Sequence, residues 1–582
     1  MKKVEQFKIW AVEESRLRNA GFDLRVEFDE AVRDGEVVAV ADNELLRAVR
    51  RLTGHAYGDD GASRLFSFCA ERNRILRQRD CVENRARLRE IADKVRELMF
   101  VGEIVTVTSA NKRAYAKIGK KGFKLNGRKY VRLMCSAAMA RTNRSLFCAE
   151  DIFNRLDEIL RCGAKDIQIV PAKWNAYYSL PSSATLRVSE PRVCVVKDYE
   201  IKLPKVVDWA EQSGDNYTIE RKEVECEFNV WDGMGLISPE MATQWSIDIG
   251  YDGVAESFIV RAPFVKGLVA TFDFKRFARE IAHNEIITDI YGKQYKVDDI
   301  DVILTESQFK LWSAYDSMEH YIDSMRRFGF SWGITRIGAP ESKKVMRTNY
   351  QFVQVLDMDD GDIAELCEPT LHWLKGVSGY DYGQKVLYCL GKLVNKKEPK
   401  KIWNDLQDSA IKALLLEPKL LREEYLTNIV VNSIKKKIKE SYIGKLFVDG
   451  GFNFLYFDPY GLCEYIFGLE PKGLLKDGEA YASFWSEKGE DSIIAMRSPL
   501  TWRAEVGLLK LRYDEKMQEW YKYIPNGVIL NMWGNERDVF SGCDADGDTL
   551  ATTNNKIFFK CRYGGVPVLY NHKKANKEFI EK

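Results

Sequence analysis

The stretch Ser541–Asn555 reads SGCDADGDTLATTNN and sets Asp544, Asp546 and Asp548 within five positions, with only Ala545 and Gly547 between them. Three carboxylates this close repel one another in water unless a cation or a hydrogen-bond network offsets the repulsion. The spacing therefore asks for a metal. A calcium loop of the EF-hand kind wants Gly at its sixth position and Glu at its twelfth, and this chain has Thr549 and Asn555 there. The flanks RDVFSG and KIFFKC read as strands rather than the two helices such a loop needs. A ligand-free Asx turn between strands is the plain alternative. The reading that uses all three aspartates is a Mg²⁺ site, with Gly547 letting the backbone turn tightly enough to gather them. Nucleotidyl transfer needs such a site, because the metal activates the attacking hydroxyl and neutralises the phosphate and the leaving pyrophosphate.

Working outward, 582 residues are too many for one ordinary core, so several domains are expected. With 88 basic against 86 acidic residues the formal charge is +2, and global basicity gives no argument for a nucleic-acid partner. Any such case is local. The start MKKVEQFKIW lacks the apolar core of a signal peptide, and no run approaches a membrane span, so the reading is cytoplasmic with no membrane partner. Twelve scattered cysteines and five distant histidines form no zinc spacing and no HExxH, which excludes a zinc finger and leaves histidine-based hydrolysis without support.

The chain divides by texture. Residues 1–100 read as a helical N-terminal region, and 101–204 as a mixed accessory region holding the basic segment NKRAYAKIGKKGFKLNGRKYVR, Asn111 to Arg132. That segment has many Lys and Arg and no acid; its basic groups would contact phosphates and its interleaved Tyr115, Phe123 and Tyr130 could stack on single-stranded bases. The bland reading is a solvated lysine-rich hairpin. Clean alternation in KEVECEFNV predicts a half-buried strand, with Glu223, Glu225 and Glu227 facing one side. Further β-like runs make 205–345 a first β-rich domain, plausible as a barrel; 346–443 is a helical connector bearing KKEPKK; 444–582 is a second β-rich domain that includes the aspartates.

Phosphate chemistry also needs cations from elsewhere in the chain. Lys266 in RAPFVKG, Lys310 in TESQFK and Arg497 in MRSPLTWRAEV stand in the right order for that, although each alone is an ordinary surface charge.

Together with the aspartates, these segments resemble the two-barrel RNA polymerases, the RNA-directed RNA polymerases of RNA silencing and related phage and prophage enzymes. CDADGD looks like their D-x-D-G-D metal loop, which implies magnesium binding by Asp544, Asp546 and Asp548. WDGMGLISPEMA, Trp231 to Ala242, is similar to their DG-x-G segment, and VRAPFVKGLVATFD to their R-x-x-x-x-KG segment, implying that Arg261 and Lys266 lie near the phosphates. LTESQFKLW implies a second active-site lysine, Lys310, and RSPLTWRAEV a ribose-positioning arginine, Arg497. MCSAAMARTNRSLF resembles a serine-rich block ahead of the barrels, with Ser136 and Arg141 in the matching places. The flank after Arg497 departs from the eukaryotic pattern and points to the bacterial or phage branch, which implies a phage or mobile-element enzyme.

The resemblance implies an α+β fold of two double-psi-β-barrel-type domains joined by a helical region. The implied activity is RNA synthesis from ribonucleoside triphosphates on a single-stranded template, with RNA favoured as template. A DNA-templated phage-type polymerase is the same-class alternative, and a catalytically incomplete nucleic-acid-binding protein the different-class one. Only 34 residues follow Asp548, read as strand KIFFKC, a turn at YGGVP, strand VLY and the tail NHKKANKEFIEK. That shortness predicts a second barrel lacking closing strands, and with it either a separately encoded C-terminal polymerase segment as partner or a truncated, poorly active form.

Overall fold

A computed structural model describes residues 2, 4–55, 61–78, 81–213, 216–338, 345–378, 409–534, 536–540 and 542–570. Three β layers carry the molecule. The N-terminal layer is a seven-stranded sheet in the order Asp23–Leu24, Phe123–Leu125, Arg128–Met134, Arg144–Ala149, Phe100–Thr108, Gln6–Glu13, Val37–Ala41. This corrects the helical reading of residues 1–100. Helices do cover Glu44–Thr53, Gly61–Ile75 and Val82–Met99, but Gln6–Glu13 pairs in parallel with Phe100–Thr108, so the boundary at residue 100 runs through one sheet. The physical reason is that QFKIWAVE buries Phe7 and Ile9 and then Trp10 and Val12, its alternation changing phase at the irregular pairing between Lys8 and Trp10, over too few residues to stand out from the charged helices after it.

The second sheet is ordered Leu186–Arg187, Gly333–Ile337, Ser257–Ala262, Val265–Thr271, Met234–Ile237, Val302–Thr305, Val193–Val196. It is open, where the sequence suggested a first barrel, and its two outer strands come from before residue 205. Its middle strands carry unbroken apolar runs, Phe258–Val260 and Leu268–Ala270, because both faces are covered there, and these two strands are charged only at Arg261 and Lys266. Phe258 and Val260 enter the core shared with the N-terminal layer, while Ile259 between them enters the core shared with the third layer. The alternating segment behaves as its pattern demands. Asn216–Asn229 pairs along its length with Glu200–Ser213 in a long hairpin, and Glu223, Glu225 and Glu227 are exposed.

The third layer is a closed barrel of six strands, Gly451–Phe457, Val528–Leu530, Glu479–Tyr481, Val506–Leu511, Ser492–Met496 and Thr549–Thr553. Every barrel strand lies before Asn554, which overturns the expectation of a barrel short of its closing strands. Two local readings change with it. Lys556–Cys561, expected as a strand, is a helix capped by Asn555, whose side chain accepts from the Ile557 N–H, and it buries Ile557, Phe558 and Cys561 at helical spacing. Glu536–Val539 ahead of the aspartates is also a short helix. Val568–Tyr570 is a strand as expected, parallel to Asp208–Ala210 of the long hairpin. In the chain, helices such as Asp360–Ser378, Ser409–Leu416 and Glu424–Ser441 lie between the strands of the second and third layers. KKEPKK and the tail from Asn571 lie outside the described residues.

Candidate active site

The aspartate loop joins the helix Glu536–Val539 to the barrel strand Thr549–Thr553, and both β layers hold it. On the barrel side the Asp548 carbonyl accepts from the Leu455 N–H at 3.0 Å; on the sheet side the Ala545 N–H donates to the Asp232 carbonyl at 3.0 Å. Gly547 has φ +123°, and a Cβ there would stand 2.6 Å from Cδ1 of Ile259 in the second sheet. Only glycine satisfies both the turn and the close approach. One oxygen from each of Asp544, Asp546 and Asp548 lies within 4.8 Å of the others.

Cations from two layers converge on this cluster. Lys266, on the strand Val265–Thr271, donates from Nζ to Asp546 Oδ2 at 2.6 Å. Arg497, just after the barrel strand Ser492–Met496, donates from Nε to Asp548 Oδ2 at 2.7 Å, and the same oxygen accepts from the Asp544 N–H at 3.2 Å. Lys310 lies one turn away: its N–H donates to the Phe264 carbonyl at 2.9 Å, and the Lys266 N–H to the Gln308 carbonyl at 3.1 Å, so the two lysine-bearing segments are stapled together. Arg261 stands directly opposite Lys266 in strand register, and its Nη1 donates to the Val260 carbonyl at 2.8 Å. Ser136, in contrast, caps the helix Ala137–Arg141 in the N-terminal layer, accepting from the Met139 N–H at 3.2 Å. Among the described residues no recorded contact links Ser136 or Arg141 to the loop.

The electrostatics follow from burial and crowding. Burial, then the charges of Asp546 and Asp548, pushes the Asp544 carboxyl up to about 7. Burial also works against ionised Asp546, but the Lys266 ammonium and its hydrogen bond outweigh it and hold that carboxyl below its ordinary value. Lys310 is pushed down by burial and then by the positive charge of Lys266. Arg261 is lowered by burial, with Asp546 opposing. A cluster of three carboxylates in which one resists ionisation is short of positive charge, and its oxygen-only donor set suits a hard divalent cation such as Mg²⁺. The residues fit the metal. Lys266 already supplies part of that charge at one oxygen.

Sequence reasoning missed the residues that hold these groups in place. Gly233, inside the quoted WDGMG, has φ +78°, and a Cβ on it would lie 2.8 Å from Cβ of Asp546. Its N–H donates to Ser307 Oγ at 3.1 Å, and its carbonyl accepts from Gln308 Nε2 at 3.1 Å. Gln308 is fully buried; its Nε2 also donates to the Leu268 carbonyl at 2.9 Å, and its Oε1 accepts from the Thr305 N–H at 3.1 Å. Lys205 of the long hairpin is buried as well and donates to Asp538 Oδ2 at 2.6 Å and the Gly534 carbonyl at 3.0 Å, fastening the segment that leads into the loop. The motif spacing names Ser307 and Gln308 as members of a segment but carries no sign of these roles.

Comparison with known proteins bears on this geometry. The family profile described as RNA dependent RNA polymerase matches residues 67–577. The DNA-directed RNA polymerase YonO of Bacillus phage SPbeta is 29% identical over 506 residues, which is 84% of this chain and 56% of that protein. The chain thus spans about half the length of the curated relative it matches. The solved structure of the RNA dependent RNA polymerase QDE-1 from Thielavia terrestris aligns over 82% of this chain and 51% of that one, with a TM-score of 0.52 at 15% identity, a likeness of fold. Among the described residues no helix is long and apolar enough to cross a membrane.

Proposed function

We propose, for a chain that belongs to the RNA dependent RNA polymerase family, that it is a nucleotidyltransferase making RNA from ribonucleoside triphosphates on a single-stranded template, with Asp544, Asp546 and Asp548 as Mg²⁺ ligands. The observation that carries this reading is the 2.6 Å contact of Lys266 with Asp546, which brings a phosphate-binding cation from one β layer onto the metal-binding carboxylates of the other. We read the open sheet, whose strands run from Leu186 to Ile337, and the closed barrel within 444–582 as the two double-psi-β-barrel-type halves of such an enzyme.

Asp544, Asp546 and Asp548 would hold Mg²⁺, which would supply positive charge to activate a 3′-hydroxyl and neutralise the leaving pyrophosphate. The chain's own groups do the rest. Lys266 and Lys310, held side by side, present preorganised charge to the α-phosphate and to what leaves it. Arg261, opposite Lys266, adds to the field on the triphosphate. Arg497 fixes Asp548 through Nε, and in this reading it is the residue that meets the ribose of the incoming nucleotide.

For the template we keep RNA as the first reading, on the family. A DNA template is the second, because the phage relative is named as DNA-directed and matches 84% of this chain. The test is purified protein with ribonucleotides, Mg²⁺ and matched single-stranded RNA and DNA templates, with chelator and Asp546→Ala as controls. Labelled RNA that depends on template, metal and Asp546 is the expected result; no synthesis on either template sinks the reading. Product on DNA alone selects the second template.

A further inference from the structure

The basic segment that sequence analysis singled out takes no part in the site described above. Its first half is a helix, Lys112–Lys121, and only its second half is the hairpin of Phe123–Leu125 with Arg128–Met134. The expected base-stacking aromatics are not available. Phe123 and Tyr130 are buried and stacked on each other at 5.5 Å, and the Tyr115 ring is covered by the Arg132 guanidinium 4.3 Å from its centroid. What the helix shows to solvent is charge. Ile118 is buried against the sheet, while Arg113, Lys117, Lys120 and Lys121 recur at i, i+4, i+7 and i+8 along one exposed face.

That face is unneutralised. Asn111 to Arg132 holds nine Lys and Arg and no acid. Arg128 and Lys129 in the hairpin pair with Asp151, Glu103 and Glu150, as surface charges in this protein commonly do. Among the described residues none of Arg113, Lys117, Lys120 and Lys121 has an ion-pair partner, and the nearest aromatic contact is Lys121 Nζ, 4.1 Å from the Phe22 ring. Four like charges on one helix face repel at every i, i+4 step, a cost that an anionic partner of matching spacing relieves. In a chain whose overall charge is +2, this concentration is local and directional.

We infer that the exposed face of the helix Lys112–Lys121 is a phosphate-backbone binding surface for nucleic acid, separate from the catalytic centre and indifferent to base sequence. The inference rests on the polymerase reading only in its choice of nucleic acid over another polyanion. Lys and Arg with no aromatic platform and no base-reading side chain bind through counterion release, so the surface is read out by salt.

The experiment compares the full chain with a variant carrying Arg113→Gln, Lys117→Gln, Lys120→Gln and Lys121→Gln. Glutamine keeps helix propensity close to that of the replaced residues, and thermal melting checks that the fold is kept. Binding of fluorescein-labelled single-stranded RNA, single-stranded DNA and duplex DNA is followed by anisotropy across a salt series, in chelator and without nucleotides, so that no chemistry contributes. The expected result is at least about a tenfold loss of affinity at low salt, with a salt slope shallower by about 3 for the single strands and about 4 for the duplex. The strand type showing the largest change identifies the bound form. Equal affinity and slope for the two proteins overturns the proposal, as does a loss confined to poly-glutamate binding, which would assign the face to an acidic polypeptide. A wild-type protein that binds with the expected slope yet makes no RNA supports the surface while removing the polymerase reading.

Discussion

Lys266 and Asp546 are 280 residues apart in the chain and 2.6 Å apart in space, one on the second sheet and the other on the loop that feeds the barrel. Neither layer alone has both halves of the site. The ion pair is partly exposed, at 33% and 24% for the two side chains, so its worth lies in placement more than in stability. From that placement the following outcomes are expected.

Lys266→Ala and Lys310→Ala should each lower turnover by roughly 10²–10³, the scale of losing one preorganised donor to a transition state. Template affinity, measured apart from turnover, should change little. Turnover that recovers fully at saturating template would make these lysines backbone contacts instead.

Arg497→Ala should weaken discrimination between ribo- and deoxyribonucleotides, since a site that hydrogen-bonds the 2′-hydroxyl rejects substrates lacking it. The contact with Asp548 adds a second effect, a fall in turnover even with the correct nucleotide. Competition between the two nucleotide types, alongside kcat for each, separates them. Unchanged discrimination with reduced turnover would confine Arg497 to holding the metal ligand.

Gly233→Ala and Gly35→Ala make a matched pair. Both glycines have positive φ, +78° and +75°, but a Cβ on Gly35 meets nothing within 4 Å, whereas one on Gly233 lies 2.8 Å from Asp546. Each should cost about 1 kcal/mol in backbone strain, seen in denaturation. Only Gly233→Ala should lose activity, by roughly 10²-fold, because it shifts Asp546, a proposed metal ligand. Equal activities for the two variants would show that the loop tolerates the displacement.

Glu256 gives a pH prediction. It is buried where the second sheet meets the barrel, accepting from the Asn526 N–H at 3.0 Å and from the Tyr456 hydroxyl at 3.3 Å, and burial outweighs these bonds and raises its carboxyl to about 7. Its folded-state value lies above the ordinary 4.5, so the folded protein binds the extra proton between those values. Stability from this group is therefore full below about pH 4.5 and is lost as pH rises through 7, a loss on the order of 3 kcal/mol. Glu256→Gln, neutral throughout, should flatten the fall between pH 5 and pH 8 relative to wild type. Asp544 shifts in the same direction in both proteins, so the difference between them isolates Glu256. Parallel curves of melting temperature against pH for the two proteins would refute the assignment.

What could be read from the chain follows from the range of each interaction. The aspartate loop was legible because its three carboxylates fall within five positions, and Lys266 and Arg497 because they stand in motifs whose order is itself a signal. The contacts of Gly233 with Ser307 and Gln308 span 74 and 75 residues, and no local pattern marks them. Secondary structure failed where local and distant preferences disagree. KIFFKC has the composition of a strand, but Asn555 caps it and the barrel is already closed, so it becomes a helix. FKIWAV changes phase at Trp10, and besides Val37–Ala41 it pairs with a strand that begins only at Phe100.

Lys205 is made early and waits. Its partner Asp538 lies 333 residues further along, and at about 5–20 residues per second a ribosome needs roughly 15–70 s to deliver it. Throughout that interval an ammonium destined for the interior has no carboxylate to meet, and the hairpin that bears it cannot settle against the rest of the protein without burying a lone charge. Asp538 is made only six positions before Asp544, so the residue that seats the hairpin and the aspartates themselves become available at nearly the same moment. Hairpin and aspartate loop can therefore meet only late in synthesis, and the Lys205–Asp538 pair ties the one to the segment that leads into the other.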